Sequence, residues 1–128
     1  MYQDFGLFIA GNWERGTTTA TVMSPVTETA LGEVATATTA DTQRAINAAS
    51  SALTPLREMG GFARADALHR IADEMTARGD EAARMISTET GKPLAQAGRE
   101  WVLSTDQFRW YAEEARRIYG RVVESRVP

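Results

Sequence analysis

The chain has 128 residues, 43% of them hydrophobic and 24% charged, with a formal net charge of -3. That length fits one domain with a core of its own, and mild acidity without a basic run argues against a nucleic-acid or anionic-membrane partner. The absence of cysteine excludes disulfides, thiolate metal sites and a cysteine nucleophile within these residues. No apolar run reaches transmembrane length, and the opening MYQDFGLFIAG lacks the charged head and long apolar core of a signal peptide. The expected compartment is the cytoplasm.

Residues 5 to 34 read as short strands. Leu7, Phe8 and Ile9, and then Trp13, flank the turn-forming cluster Ala10-Gly11-Asn12, which predicts a hairpin. Thr17, Thr18, Thr19, Thr21 and Val22 continue in β-prone composition up to Ser24-Pro25, and Leu31-Gly32-Glu33-Val34 is the expected returning strand. Together they predict a small antiparallel sheet whose apolar face must be covered.

From residue 39 the apolar period becomes helical. Thr39 is the expected N-cap of a first helix, with Asp41 in the first turn, where negative charge suits the helix dipole. Ala45, Ile46, Ala49, Ala52 and Leu53 follow at helical spacing, and the helix is expected to end near Thr54-Pro55. After a linker over 55–61 that carries Gly60-Gly61, the positions of Phe62, Ala65, Leu68, Ile71, Ala72 and Met75 predict a second helix up to Gly79. Asp80 is the expected cap of a third, shorter helix with Ala82, Met85 and Ile86 on one side.

Glycine accepts left-handed backbone just past a helix end, and proline's fixed φ suits a first turn. Gly91 is therefore expected to stop the third helix and Pro93 to start a long fourth one over 94–119. At 100° per residue, Ala97, Trp101, Phe108, Tyr111, Ala115, Ile118 and Tyr119 fall within about one third of its circumference, the expected core stripe. Leu103 and Trp110 fall on a different face. Another helix, a subunit contact or a ligand wall would each account for them.

The residues themselves carry no catalytic constellation. His69 is the single histidine and reads as a surface or boundary residue; without a second histidine or a cysteine it does not make a metal site. No G-x-S-x-G presents a serine. The neighbouring carboxylates Asp73-Glu74 and Glu113-Glu114 point in different directions on a helix, and the latter two are placed to pair with Arg109, Arg116 or Arg117. Gly6, Gly11 and Gly16 are too widely spaced for a phosphate loop, and Lys92 lacks the glycine loop before it, so a cap or surface role is expected.

The order of segments resembles the N-terminal part of the aldehyde dehydrogenase superfamily, and most of all its succinate-semialdehyde dehydrogenase group. Residues 7–13, LFIAGNW, are similar to the family's L-[FY]-I-x-G-x-W hairpin; Ser24-Pro25-Val26-Thr27 stands where members carry Asn-Pro-Ala-Thr, followed by Gly32-Glu33-Val34. Residues 39–49, TADTQRAINAA, resemble the first helix, Arg64-Ala65 the start of the second, and residues 89–95, ETGKPLA, the E-x-G-K-P-L-x box. Residues 108–120, FRWYAEEARRIYG, resemble the semialdehyde branch in particular. Three departures stand out: Glu28 at the family's turn glycine, so that the turn is expected to be rebuilt or relaxed, Ser24 in place of asparagine, and Trp101 in place of a smaller aliphatic residue.

The resemblance implies an α/β fold in which small N-terminal antiparallel strands precede four helices, the last one long. It implies that residues 1–128 are the N-terminal part of a cofactor-binding domain, with 121–128 entering an oligomerisation strand of a homo-oligomer. It further implies oxidation of an aldehyde, such as succinate semialdehyde, to its acid with NAD or NADP, by a cysteine nucleophile, an oxyanion-holding asparagine and a water-activating glutamate. None of these groups has a counterpart here, so the chain alone is expected to be inactive and to bind no cofactor. By the same resemblance the long helix borders the aldehyde's access tunnel, with Leu103 at the matching position and Gln107 and Trp110 on adjoining turns. No arginine is assigned to a substrate carboxylate. The alternative is a non-catalytic helical module for interaction or self-association.

Overall fold

The computed structural model describes residues 5–120 and 126. Among the described residues four short strands precede four helices: β1 (Leu7–Ile9), β2 (Asn12–Glu14), β3 (Thr18–Met23), β4 (Ala30–Thr36), α1 (Thr39–Glu58), α2 (Gly60–Ala77), α3 (Gly79–Thr90) and α4 (Leu94–Ala115). This is the α/β arrangement that the resemblance implies.

The expected hairpin forms, with Phe8 opposite Trp13. Its turn residues Ala10 and Gly11 both have positive φ, 52° and 84°, and such a turn matches the twist of the strands it joins. β3 and β4 pair antiparallel from Thr18↔Thr36 to Val22↔Gly32, with an irregularity before Met23. In place of one small sheet there are two two-stranded ladders, because β2 is three residues long and shares no ladder with β3. Phe5 joins them: it bridges Val34 in parallel, and its carbonyl accepts the Ala35 N–H at 2.8 Å.

The turn between β3 and β4 corrects one expectation. Glu28 keeps the left-handed conformation, φ 55°, so the turn is neither rebuilt nor relaxed. The buried Ser24 holds it: its Oγ accepts the N–H groups of Val26 and Thr27 at 3.3 and 3.2 Å, and its carbonyl accepts the Glu28 N–H at 2.9 Å. Serine thus supplies the side-chain acceptor that an asparagine would supply. A side chain at left-handed φ costs about 1 kcal/mol relative to glycine. Glu28→Gly is therefore expected to stabilise the chain by roughly that amount, read as a higher denaturation midpoint at constant m; a lower midpoint would contradict the assignment of strain to this turn.

The first helix begins one residue earlier than its pattern implies. Thr38, not Thr39, is the N-cap: its Oγ accepts the Asp41 N–H at 3.2 Å, and the Asp41 carboxylate accepts the Thr38 N–H at 3.0 Å, a reciprocal capping box. The Thr38 bonds, and then Arg44, hold the Asp41 carboxyl below its ordinary value. Arg44 also reaches Glu14 at 2.5 Å, tying α1 to the hairpin. The helix continues through Pro55, because a proline near the end forfeits only one backbone bond among many. The Met59 N–H donates to the Pro55 carbonyl at 3.0 Å, and Gly60, φ 76°, breaks the run. The linker expected over 55–61 is thus reduced to a single turn, and the apolar positions Ile46, Leu53 and Leu56 stay exposed.

Alanine and glycine govern the helical core. α2 runs antiparallel to α4, with Ala65 packed on Ala112 and Ala115 at one end and the Trp101 indole Nε1–H donating to the Met75 carbonyl at 2.6 Å at the other. The half-buried Trp101 thereby joins the two helices. α3 meets α4 where Ala83 faces Gly98. Asp80 lies inside the first turn of α3 instead of capping it, since the helix already starts at Gly79. Gly91 ends α3 at φ 71°, as expected, under the side chains of Pro25 and Val26. Pro93 sits at the N-cap, one position before the first turn of α4, and its carbonyl accepts the N–H groups of Gln96 and Ala97.

The buried line of α4 is Ala97, Thr105, Ala112 and Ala115, with Trp101 and Phe108 half-buried. It is rotated from the expected stripe because close approach of α2 selects small residues, and Tyr111 is left 59% exposed. The helix ends at Ala115, short of residue 119: Arg116 and Arg117 bond three residues back, at 3.3 and 2.8 Å, which tightens and closes the last turn. Ile118 and Tyr119 consequently leave the core stripe and are exposed. The expected oligomerisation strand at 121–128 lies, Arg126 apart, outside the described residues. No described helix is long and apolar enough to cross a membrane.

Candidate functional site

The outward face of α4 is one part of the helical layer that packing among the described residues leaves open. Leu103 and Trp110 are 62% and 65% exposed, and Gln107 between them is exposed as well. At i, i+4 and i+7 the three side chains form one stripe over two turns. The opposite face fixes its aim: the alanine contacts with α2, the Trp101 bond, and Arg109, whose Nη2 donates to Thr76 Oγ1 at 2.8 Å. His69, half-buried on α2, adds a 3.1 Å contact to Glu113 of α4.

Leu103 and Gln107 line a shallow depression of about 580 Å³ together with Lys92, Gln96, Arg99, Glu100 and Ser104. Trp110 lies on the next turn, beyond its lining. Lys92 is held by the Glu100 carboxylate, a surface role as expected. The Ser104 hydroxyl donates to the Glu100 carbonyl at 2.9 Å, an ordinary helical back-bond that leaves it no activating base. Among the described residues no group of three or more His, Asp or Glu is placed to hold a metal. The face offers an aliphatic chain, an amide and an indole, which can shape and line a passage.

A second groove, about 830 Å³, opens between α2 and α3 around Ile71, Met75, Met85, Ile86 and Trp101. It contains none of the three predicted wall residues. Sequence reasoning missed it because the same apolar positions read as core. Its rim holds the Arg78–Glu81 pair, 3.0 Å apart, in which hydrogen bonding raises the arginine's pKa and lowers the carboxyl's. Of the expected pairs, Glu113 meets Arg116 at 3.9 Å and Glu114 meets Arg117 at 2.6 Å. Arg109 turns instead to Asp106 at 3.3 Å, three residues back on its own face.

The sequence profile of the aldehyde dehydrogenase family matches residues 13–128. A glutarate-semialdehyde dehydrogenase of Pseudomonas putida is 38% identical over 124 residues, 94% of this chain and 26% of that protein. A 4-(hydroxymethyl)benzenesulfonate dehydrogenase of Comamonas testosteroni is 33% identical over 130 residues, 100% of this chain and 27% of that protein. The crystal structure of a succinate-semialdehyde dehydrogenase from Burkholderia pseudomallei superimposes with a TM-score of 0.90 at 34% identity, covering 95% of this chain and 26% of that one. The chain thus spans about a quarter of the length of the relatives it matches. On the profile match, the order of its elements and this superposition, the chain belongs to the aldehyde dehydrogenase family.

Proposed function

We propose that the chain is the N-terminal part of the cofactor-binding domain of an enzyme that oxidises an aldehyde to its carboxylic acid with NAD or NADP, and that Leu103, Gln107 and Trp110 line the aldehyde's access tunnel. The observation that carries this reading is the open stripe itself: α4 buries Ala97 and Ala112 completely on one face while leaving a leucine and a tryptophan mostly exposed on another. The substrate is an aldehyde with an anionic group far from the carbonyl, such as succinate semialdehyde. Relatives named for glutarate semialdehyde, succinate semialdehyde and a benzenesulfonate support that choice. The proposal extends to a homo-oligomeric enzyme of the cytoplasm.

The starts of the first three helices do not fit the pyrophosphate of a dinucleotide. A pyrophosphate needs free backbone N–H groups at a helix start without negative charge beside them. The start of α1 is filled by the Thr38–Asp41 capping box, and the first turn of α3 carries Asp80 and Glu81. The start of α2 is closed by α4, where Gly61 lies against the Ala115 carbonyl. The proposal places NAD(P) on parts of the enzyme outside this segment, and these residues shape the passage.

The test compares the 128-residue chain with the full-length protein, each given succinate semialdehyde and either dinucleotide while NAD(P)H absorbance is followed. The full-length protein is expected to turn over. The chain alone, which has no cysteine, is expected to be inert. Turnover by the chain alone, or a full-length protein inert to aldehydes, would overturn the reading, the latter in favour of an interaction module.

A further inference from the structure

We propose that Arg99 selects aldehydes bearing a remote anionic group by holding that anion at the mouth of the tunnel, an assignment that rests on the tunnel reading above. Arg99 lies four residues before Leu103, on the same stripe of α4 and about 6 Å from it along the axis. Both side chains line the same depression, with Gln107 one turn further on.

The charge pattern around Arg99, in the second turn of α4, differs from that around the arginines near and just past the helix's other end. Arg109, Arg116 and Arg117 each meet an acid three residues back. The corresponding neighbours of Arg99 are Ala95, Gln96, Val102 and Leu103, none of which is acidic. The carboxylate nearest in sequence, Glu100, is taken by Lys92 of the junction between α3 and α4. Among the described residues no carboxylate forms an ion pair with Arg99, so the depression keeps one guanidinium uncompensated.

A guanidinium presents a planar fork of N–H donors, which fits the oxygens of a carboxylate or a sulfonate. The methylenes between that anion and the aldehyde would run over Leu103, an aliphatic surface that suits them. The uncompensated positive charge steers anions toward the passage, and salt weakens that attraction. A neutral aldehyde gains nothing from it. Arg99 therefore sets selectivity between anionic and neutral substrates and leaves the chemical step unchanged.

Steady-state kinetics of the full-length enzyme separate the two claims. Succinate semialdehyde and butanal, equal in chain length and different in charge, are compared for the wild type, Arg99→Gln, Arg99→Lys and Leu103→Ala. Arg99→Gln is expected to raise KM for the semialdehyde about tenfold and to weaken its salt dependence, with kcat and the butanal constants unchanged. Arg99→Lys, which keeps the charge and loses the fork, should recover only part of the loss, and the exposed position makes both variants compatible with folding. An unchanged semialdehyde-to-butanal ratio in Arg99→Gln, while Leu103→Ala shifts KM for both aldehydes, would overturn the role of Arg99 and leave the tunnel standing. If no variant moves either aldehyde, the tunnel reading falls and Arg99 falls with it.

Discussion

Gly61→Ala is expected to lower the unfolding free energy of the chain by about 1–3 kcal/mol, the range of overpacking in a well-packed core. A Cβ at that position would sit 2.7 Å from the Ala115 carbonyl oxygen and 3.4 Å from the Arg116 Cα. Both are backbone atoms, which no rotamer change can move aside. Relief requires α2 to slide along α4, and that motion loosens Ala65 from Ala112 and lifts the Phe62 ring from the Arg116 guanidinium, 5.5 Å from its centroid. Gly98→Ala is the matched control. Its added methyl would meet Ala83 at 3.9 Å, an ordinary van der Waals contact, and alanine favours the helix by up to about 1 kcal/mol. Denaturant melts of the two variants should move in opposite directions. Equal shifts would mean that the close crossing of α2 and α4 does not set the stability of the helical layer.

Leu103→Trp in the full-length enzyme is expected to cut kcat/KM for a branched or aromatic aldehyde by roughly tenfold to a hundredfold, the scale on which apolar pockets discriminate by size. Acetaldehyde should be much less affected. The effect should fall on KM for the larger substrate, because a wall residue touches the substrate chain and takes no part in proton or hydride transfer. The variant should fold, since Leu103 is 62% exposed on α4. A uniform loss for large and small aldehydes alike would indicate a packing role for this face, with Leu103 seated under another part of the enzyme.

Local chemistry was legible where a residue acts on its own backbone. The hairpin turn at Ala10-Gly11 and the helix stop at Gly91 follow from the conformations that these residues accept, and both stand where they were expected. The extent of the helices was less legible. α1 passes through Pro55 and α4 stops at Ala115, because each end is decided by its neighbouring bonds and turns, which a propensity does not contain. The buried line of α4 was misplaced for a related reason. An apolar period gives most weight to bulky residues such as Tyr111 and Ile118, whereas the approach of α2 is closest over Ala112 and Thr105.

The candidate site divides in the same way. The angular offset of Leu103 and Trp110 marked a second face before any fold was known, and Gln107 joined it only through the family resemblance. Arg99 escaped notice because a search for apolar stripes passes over charges. That it forms no ion pair among the described residues also depends on Lys92 occupying Glu100, a contact that a sequence pattern does not contain. The groove between α2 and α3 stayed hidden because its lining reads as core in one dimension.

The most direct measurement is a crystal structure of the full-length enzyme with an aldehyde or acid product bound. The account predicts that Leu103 and Trp110 lie within about 4–5 Å of the ligand or of the passage leading to it. A structure in which that face of α4 is buried under another helix or a second subunit, with the ligand reaching its site by another route, would contradict it.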